Sequence, residues 1–273
     1  MVNMGNVWDR AAEFLSEHAG VLAPIVLAAL LVPHSVSALV GSAGPAIPPV
    51  VALVLSLVCA LAALWGQLAV TALALDPGGG RPRAVSAATG NMGRAIAAML
   101  ILLAVLIVLA LPVVGMAIAN GVDLSALSSG GMARANLTGG AATFAKIYTI
   151  ALVVVVIFIG IRLALLYPVI VAEGGVIAAI RRAWALSRGM VWKMIGVWLL
   201  FGIVYFVAAA AVTSGIGTVI GLLTDMTTPF SAGRVIVAIL SGIVSTGFTL
   251  IVAAFSAKLY RAAMPAREGV AAA

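Results

Sequence analysis

From His18 to Leu75 the chain carries no Asp, Glu, Lys or Arg, and charge-free runs recur at 95–122, 194–224 and 235–257. At 1.5 Å per helical residue about 20 apolar residues cross a ~30 Å hydrocarbon layer, so the first run alone can cross it twice. The pattern predicts an all-α, polytopic membrane protein. With 64% hydrophobic and 8% charged residues in 273, there is little room for a large soluble domain besides. The net charge of +7 would suggest nucleic acid in a soluble protein, but these cations cluster beside apolar spans. Anionic lipid headgroups are the expected partners, and nucleic acid is not.

Six transmembrane helices are expected at about 20–40, 50–75, 95–119, 146–171, 193–214 and 235–257, within one membrane domain over 1–262. A short cytoplasmic tail, 263–273, follows. Gly41 to Pro49 reads as a tight turn, Asp76 to Arg83 as a flexible basic linker, and Ala119 to Gly140 as the longest loop. Asn136-Leu137-Thr138 in that loop matches a glycosylation acceptor, a pattern common by chance. No cleaved signal peptide is expected, because Asp9, Glu13 and Glu17 precede the first run where a short cationic segment would stand. Residues 7–18 place Val7, Ala11 and Phe14 on one helical face with the charges opposite, and 176–188 repeat the arrangement around Arg181, Arg182 and Arg188. Ala84 to Gly93 is also helix-compatible. The chain therefore divides into three units, each an amphipathic interfacial helix on the cytoplasmic side plus a helical hairpin; the alternative is that basic loops beside spans simply look amphipathic.

Orientation follows from the cations. With the N-terminus inside, Arg10, Arg81, Arg83, Arg94, Arg181, Arg182, Arg188, Lys193, Lys258, Arg261 and Arg267 fall on the inner side, against Arg134, Lys146 and Arg234 outside. Cations resist translocation, so both termini are expected in the cytoplasm of a bacterium, with the protein in its inner membrane.

The segment Ile161-Arg162-Leu163-Ala164-Leu165-Leu166-Tyr167-Pro168 to Glu173-Gly174-Gly175, continuing through Arg181-Arg182-Ala183-Trp184-Ala185-Leu186-Ser187-Arg188-Gly189 to Gly196, resembles the bacterial glycerophosphoryl diester phosphodiesterase membrane-domain superfamily and its YciC-like relatives. Ala183 stands where that family usually has Ser. Leu259-Tyr260-Arg261 and Arg267-Glu268-Gly269 resemble the end of its last helix. The resemblance implies a six-helix membrane domain with a link to lipid metabolism. It implies no activity, since the phosphodiesterase domain with its acids and histidines around a metal is absent from this chain.

Arg162 is the cation set deepest in a span. It lies eleven residues before Glu173, roughly 16 Å along a continuous helix, where an unpaired cation costs at least ~2.5 kcal/mol. Gln67 on the second span and Ser245, Thr246 and Thr249 on the sixth are its expected partners by depth. Two roles stay open: structural glue, or contact with a substrate or headgroup. Arg181, Arg182, Arg188 and Lys193 form a candidate headgroup cluster, against the alternative that they only enforce topology, and Glu173 is a candidate ion-pair partner for one of them. Pro168 is expected to kink span four; His34 reads as a packed histidine rather than a proton carrier; Gly217 and Gly221 have the spacing of a close helix contact. Cys59 reads as a packed thiol. Gly78-Gly79-Gly80 lacks the ending of a phosphate loop, and no metal-ligand cluster, catalytic set or cofactor motif is found. The expected function is non-enzymatic, in envelope or lipid homeostasis. The alternatives are a transporter of a lipid or small amphiphile, with a polar cavity reaching Arg162, and a scaffold for partner proteins.

Overall fold

The computed structural model describes residues 3–119, 139–224, 226 and 228–264; most of the long loop with Asn136-Leu137-Thr138, and the tail with Arg267-Glu268-Gly269, lie outside them. The described residues are helical without a strand. We number the helices α1 (Met4–Glu17), α2 (Ala19–Ala43), α3 (Pro49–Leu75), α4 (Gly80–Ala119), α5 (Gly139–Arg162), α6 (Leu166–Glu173), α7 (Ile177–Leu186), α8 (Val191–Leu223) and α9 (Ala232–Ala263). Six stretches are long and apolar enough to cross a membrane: α2, α3, α4, α5 with α6, α8 and α9.

Burial is concentrated at one end of the bundle. Every residue from Leu68 to Leu75 on α3 is buried, as are Ala84 and Ala98 on α4, Leu166 to Ile170 apart from the half-buried Tyr167 on α6, Met194 on α8 and Ala253 to Ala257 on α9. The opposite ends of the spans expose Val50, Leu57, Val108, Ile147, Leu222 and other large apolar side chains. In water such exposure would be prohibitive; against hydrocarbon it costs nothing. Helix α3 is central, packing against α2, α4, α6 and α9. Helix α1 closes the packed end, its side chain of Asn3 accepting the Gly5 amide. It buries Val7, Ala11 and Phe14 while Asp9, Arg10, Glu13 and Glu17 face outward, so its apolar face is covered by protein, chiefly α9.

Two expected boundaries change. Ala84 to Gly93 is no separate interfacial element; it is the first part of one 40-residue helix, α4. At 1.5 Å per residue α4 is about 60 Å long, twice the hydrocarbon thickness, so its polar start can extend past the apolar layer without a break. The expected flexible linker is a tight turn, Pro77–Gly79, clamped by an exposed Arg83–Asp76 ion pair at 3.0 Å. The middle unit of the three therefore lacks an interfacial helix of its own.

Close helix crossings sit at glycines other than the expected pair. A Cβ on Gly242 of α9 would overlap Ser35 Oγ and stand 2.9 Å from the Ser35 backbone nitrogen, and one on Gly66 of α3 would stand 3.0 Å from Ala29 Cβ. At Gly217 and Gly221 the nearest atoms are 3.4 and 3.5 Å away, ordinary contact.

Candidate functional site

Pro168 shapes the region around Arg162. It has no N–H for the Ala164 carbonyl and its ring crowds that carbonyl, and the helix breaks there: α5 ends at Arg162, residues 163–165 turn, and α6 begins at Leu166. Gly174 and Gly175, both at positive φ (71° and 73°), then reverse the chain into α7.

Because span four is not one continuous helix, Arg162 does not meet its expected partners. Its guanidinium lies 5.3 Å from the Phe158 ring centre and 5.0 Å from that of Trp184, and Nη1 donates to the Trp184 carbonyl at 3.4 Å and to Ser187 Oγ at 3.5 Å. It is thus tied to α7 and the turn after it, while its buried Nε has no acceptor. Thr246 instead contacts His34 Nδ1 at 3.2 Å, Ser245 contacts the Tyr205 hydroxyl at 3.4 Å, and the Thr249 hydroxyl donates to the carbonyl of Ser245. The Gln67 carbonyl accepts from Thr71 at 2.8 Å. His34 is packed in the α2–α9 crossing, and Cys59 is buried and free.

Arg181, Arg182 and Arg188 come together. Helix α7 turns Ala179, Ala183 and Leu186 into the core, and with the turn after it presents the arginines on the opposite face. With Ala178, Ala185 and Trp184 they line an open groove of about 630 Å³. Trp184 forms part of this groove and also carries Arg162 on its ring. Lys193 is exposed at the start of α8 and does not line the groove. Arg182 Nε pairs with Glu173 at 3.3 Å, and the Tyr260 hydroxyl donates to the same carboxylate oxygen at 2.8 Å. That pair fastens the C-terminus of α6 to α7 and α9.

Two positions carry more structure than their sequence context suggested. Lys258, counted above only as a topology cation, donates to the Ala74 carbonyl at 3.1 Å and sits 4.8 Å from the Phe14 ring centre. It caps the C-terminal end of α3, where the helix dipole favours a cation, and pins α1 over it. Arg234 at the opposite end hydrogen-bonds the carbonyls of Met226 and Ser42, tying α9 to the end of α2. A Lys late in the last span was visible in sequence; its carbonyl partner across 184 positions was not.

The α7 groove gathers three cationic side chains at one place on the surface. Among the described residues, no three His, Cys, Asp or Glu side chains gather as they would around a metal ion. A further cavity lies between α2, α8 and α9, with Ser42, Tyr205, Thr213, Arg234 and Ser241 among its walls. Arg162 lines neither that cavity, nor the α7 groove, nor the small cavity at the break in span four. No protein-family model, curated protein or solved structure matches this chain.

Proposed function

We propose that this protein works without covalent chemistry in the bacterial cytoplasmic membrane, holding anionic lipid headgroups of the inner leaflet in the α7 arginine groove. The observation that carries the reading is the outward face of α7, where Arg181, Arg182 and Arg188 converge beside Trp184 at the end of a bundle otherwise made for hydrocarbon. Arginine matches phosphate oxygens in two-point geometry, and indoles favour the headgroup level. The eleven-to-three division of cations supports placing this end, and both termini, in the cytoplasm. α1 and α7 are then interfacial helices whose apolar faces rest on the bundle. The resemblance of residues 161–196, with 259–261 and 267–269, to the glycerophosphoryl diester phosphodiesterase membrane domains agrees with a role in lipid or envelope homeostasis.

Spin-labelled lipids test the reading. In reconstituted bilayers the motionally restricted fraction should favour phosphatidylglycerol over phosphatidylcholine. At about 1 kcal/mol per cation, neutralising Arg181 and Arg188 to Gln should lower that preference by roughly ten- to thirtyfold at the site. Equal restriction of both lipids by the unaltered protein would refute it.

A further inference from the structure

Helix α5 is largely exposed. Ile147, Ile150, Val154 and Ile157 on it are all more than half exposed, and its packing partners are α4 on one side and α8 on the other. Between α4 and α5 runs an apolar groove of about 400 Å³, with Leu102, Leu106 and Val156 among its walls; between α5 and α8 runs another of about 620 Å³, with Ile157, Leu199 and Ile203. Neither contains a charged side chain. Gly160 borders both, and a Cβ added there meets nothing within 4 Å.

Gly160 also borders a third cavity, of about 220 Å³, at the break in span four. Its polar lining is Gln67, Thr71, Tyr167, Trp198 and Ser256, all uncharged. Tyr167 and Leu163 are shared with the first groove and Trp198 with the second. The polar groups are poorly satisfied. Trp198 Nε1 is buried without an acceptor, and the side chains of Gln67, Tyr167 and Ser256 make no hydrogen bond to another described residue. Ala164 lines the same cavity, and its carbonyl is the one that Pro168 leaves without a helical donor. A buried donor left unpaired, as at Trp198 Nε1, costs about 1–3 kcal/mol. The site thus offers donors and acceptors together, with no counter-charge for an ion.

We propose that this break is the headgroup pocket for a neutral amphiphile: an uncharged hydroxyl- or amide-bearing head hydrogen-bonds to Gln67, Tyr167, Trp198 and Ser256, and its hydrocarbon chain lies in a groove beside α5. Charged heads are excluded by the desolvation they would suffer without a partner. The cavity is smaller than the ≈ 300–1,000 Å³ of drug-sized sites, which suits a glycerol-sized head. The site is separate from the α7 groove and does not depend on the function proposed for it.

Photolabelling tests it on the full chain in phosphatidylcholine nanodiscs, with a monoacylglycerol carrying a diazirine in its acyl chain. Labels should concentrate on α4, α5 and α8 beside Gly160, and be displaced by monooleoylglycerol but not by oleate or oleylamine. Gly160→Leu fills the open space between the grooves and should abolish the focused labelling. Gln67→Leu removes one hydrogen-bonding partner and should weaken it about five- to tenfold. Even labelling of all lipid-facing helices, equal displacement by oleate, or labelling that neither variant reduces would overturn the proposal.

Discussion

Lys258 and Ala74, 184 positions apart, meet through a 3.1 Å hydrogen bond from the ammonium to the last turn of α3, with the Phe14 ring centre 4.8 Å from the same ammonium. One cation thereby joins the last span, the end of the central helix and the N-terminal helix. Lys258→Met keeps the stem and removes the charge, so it should cost about 1–2 kcal/mol from the lost charged hydrogen bond and cation–π contact. The check is thermal unfolding in detergent together with hydrogen exchange, where residues 4–17 should lose protection first. Unchanged protection of α1 would show that Phe14 packing alone holds it.

Arg162 should behave as an anchor for α7. Its contacts with the Trp184 ring and carbonyl join the end of α5 to the arginine-bearing helix. Arg162→Met should leave the spans intact and raise amide exchange across 177–187 by roughly tenfold, the equivalent of about 1.4 kcal/mol. Loss of the whole fold would restore the reading of Arg162 as glue deep between the spans.

The crossing of α2 and α9 leaves no room at Gly242. Gly242→Ala would force its methyl onto the Ser35 backbone and should lower the yield of monodisperse protein, with a cost of about 1–3 kcal/mol or more. Gly217→Ala, with its nearest neighbour at 3.4 Å, should be tolerated. Size-exclusion profiles of the two variants decide the matter, and the reverse ranking would contradict the packing described.

The spans were legible because the membrane imposes a length and a polarity on each helix independently of its neighbours. The same physics hides the partners. Gly242 and Gly217 look alike in sequence, and only the third dimension brings Ser35 against one of them. Arg162 was singled out by the cost of a cation in hydrocarbon, and its partners were inferred from depth along a continuous helix; its contacts are instead with Trp184 and Ser187. Pro168 was read as a kink, whereas it ends α5 at Arg162 and lets α7 fold back over the guanidinium. The arginines of α7 were legible as a cluster, since a 3.6-residue period places them on one face; Trp184 as the link between that cluster and Arg162 was not.

Glu173 accepts from both Arg182 and Tyr260, so its loss should loosen the junction of α6, α7 and α9. Glu173→Gln retains an acceptor for Tyr260 and should cost less than about 1 kcal/mol, because the ion pair is partly exposed; Glu173→Ala should cost about 1–2 kcal/mol. Melting temperatures in one detergent would rank the two, and equal losses would assign the effect to the ion pair rather than to the Tyr260 hydroxyl.

Native mass spectrometry of the protein released from mild detergent reads most directly which lipids the α7 groove retains. The account predicts adducts of phosphatidylglycerol or cardiolipin on the unaltered chain, and their loss when Arg181 and Arg188 are both replaced by Gln. Adducts dominated by zwitterionic lipid, or anionic adducts equally abundant on the double variant, would contradict it.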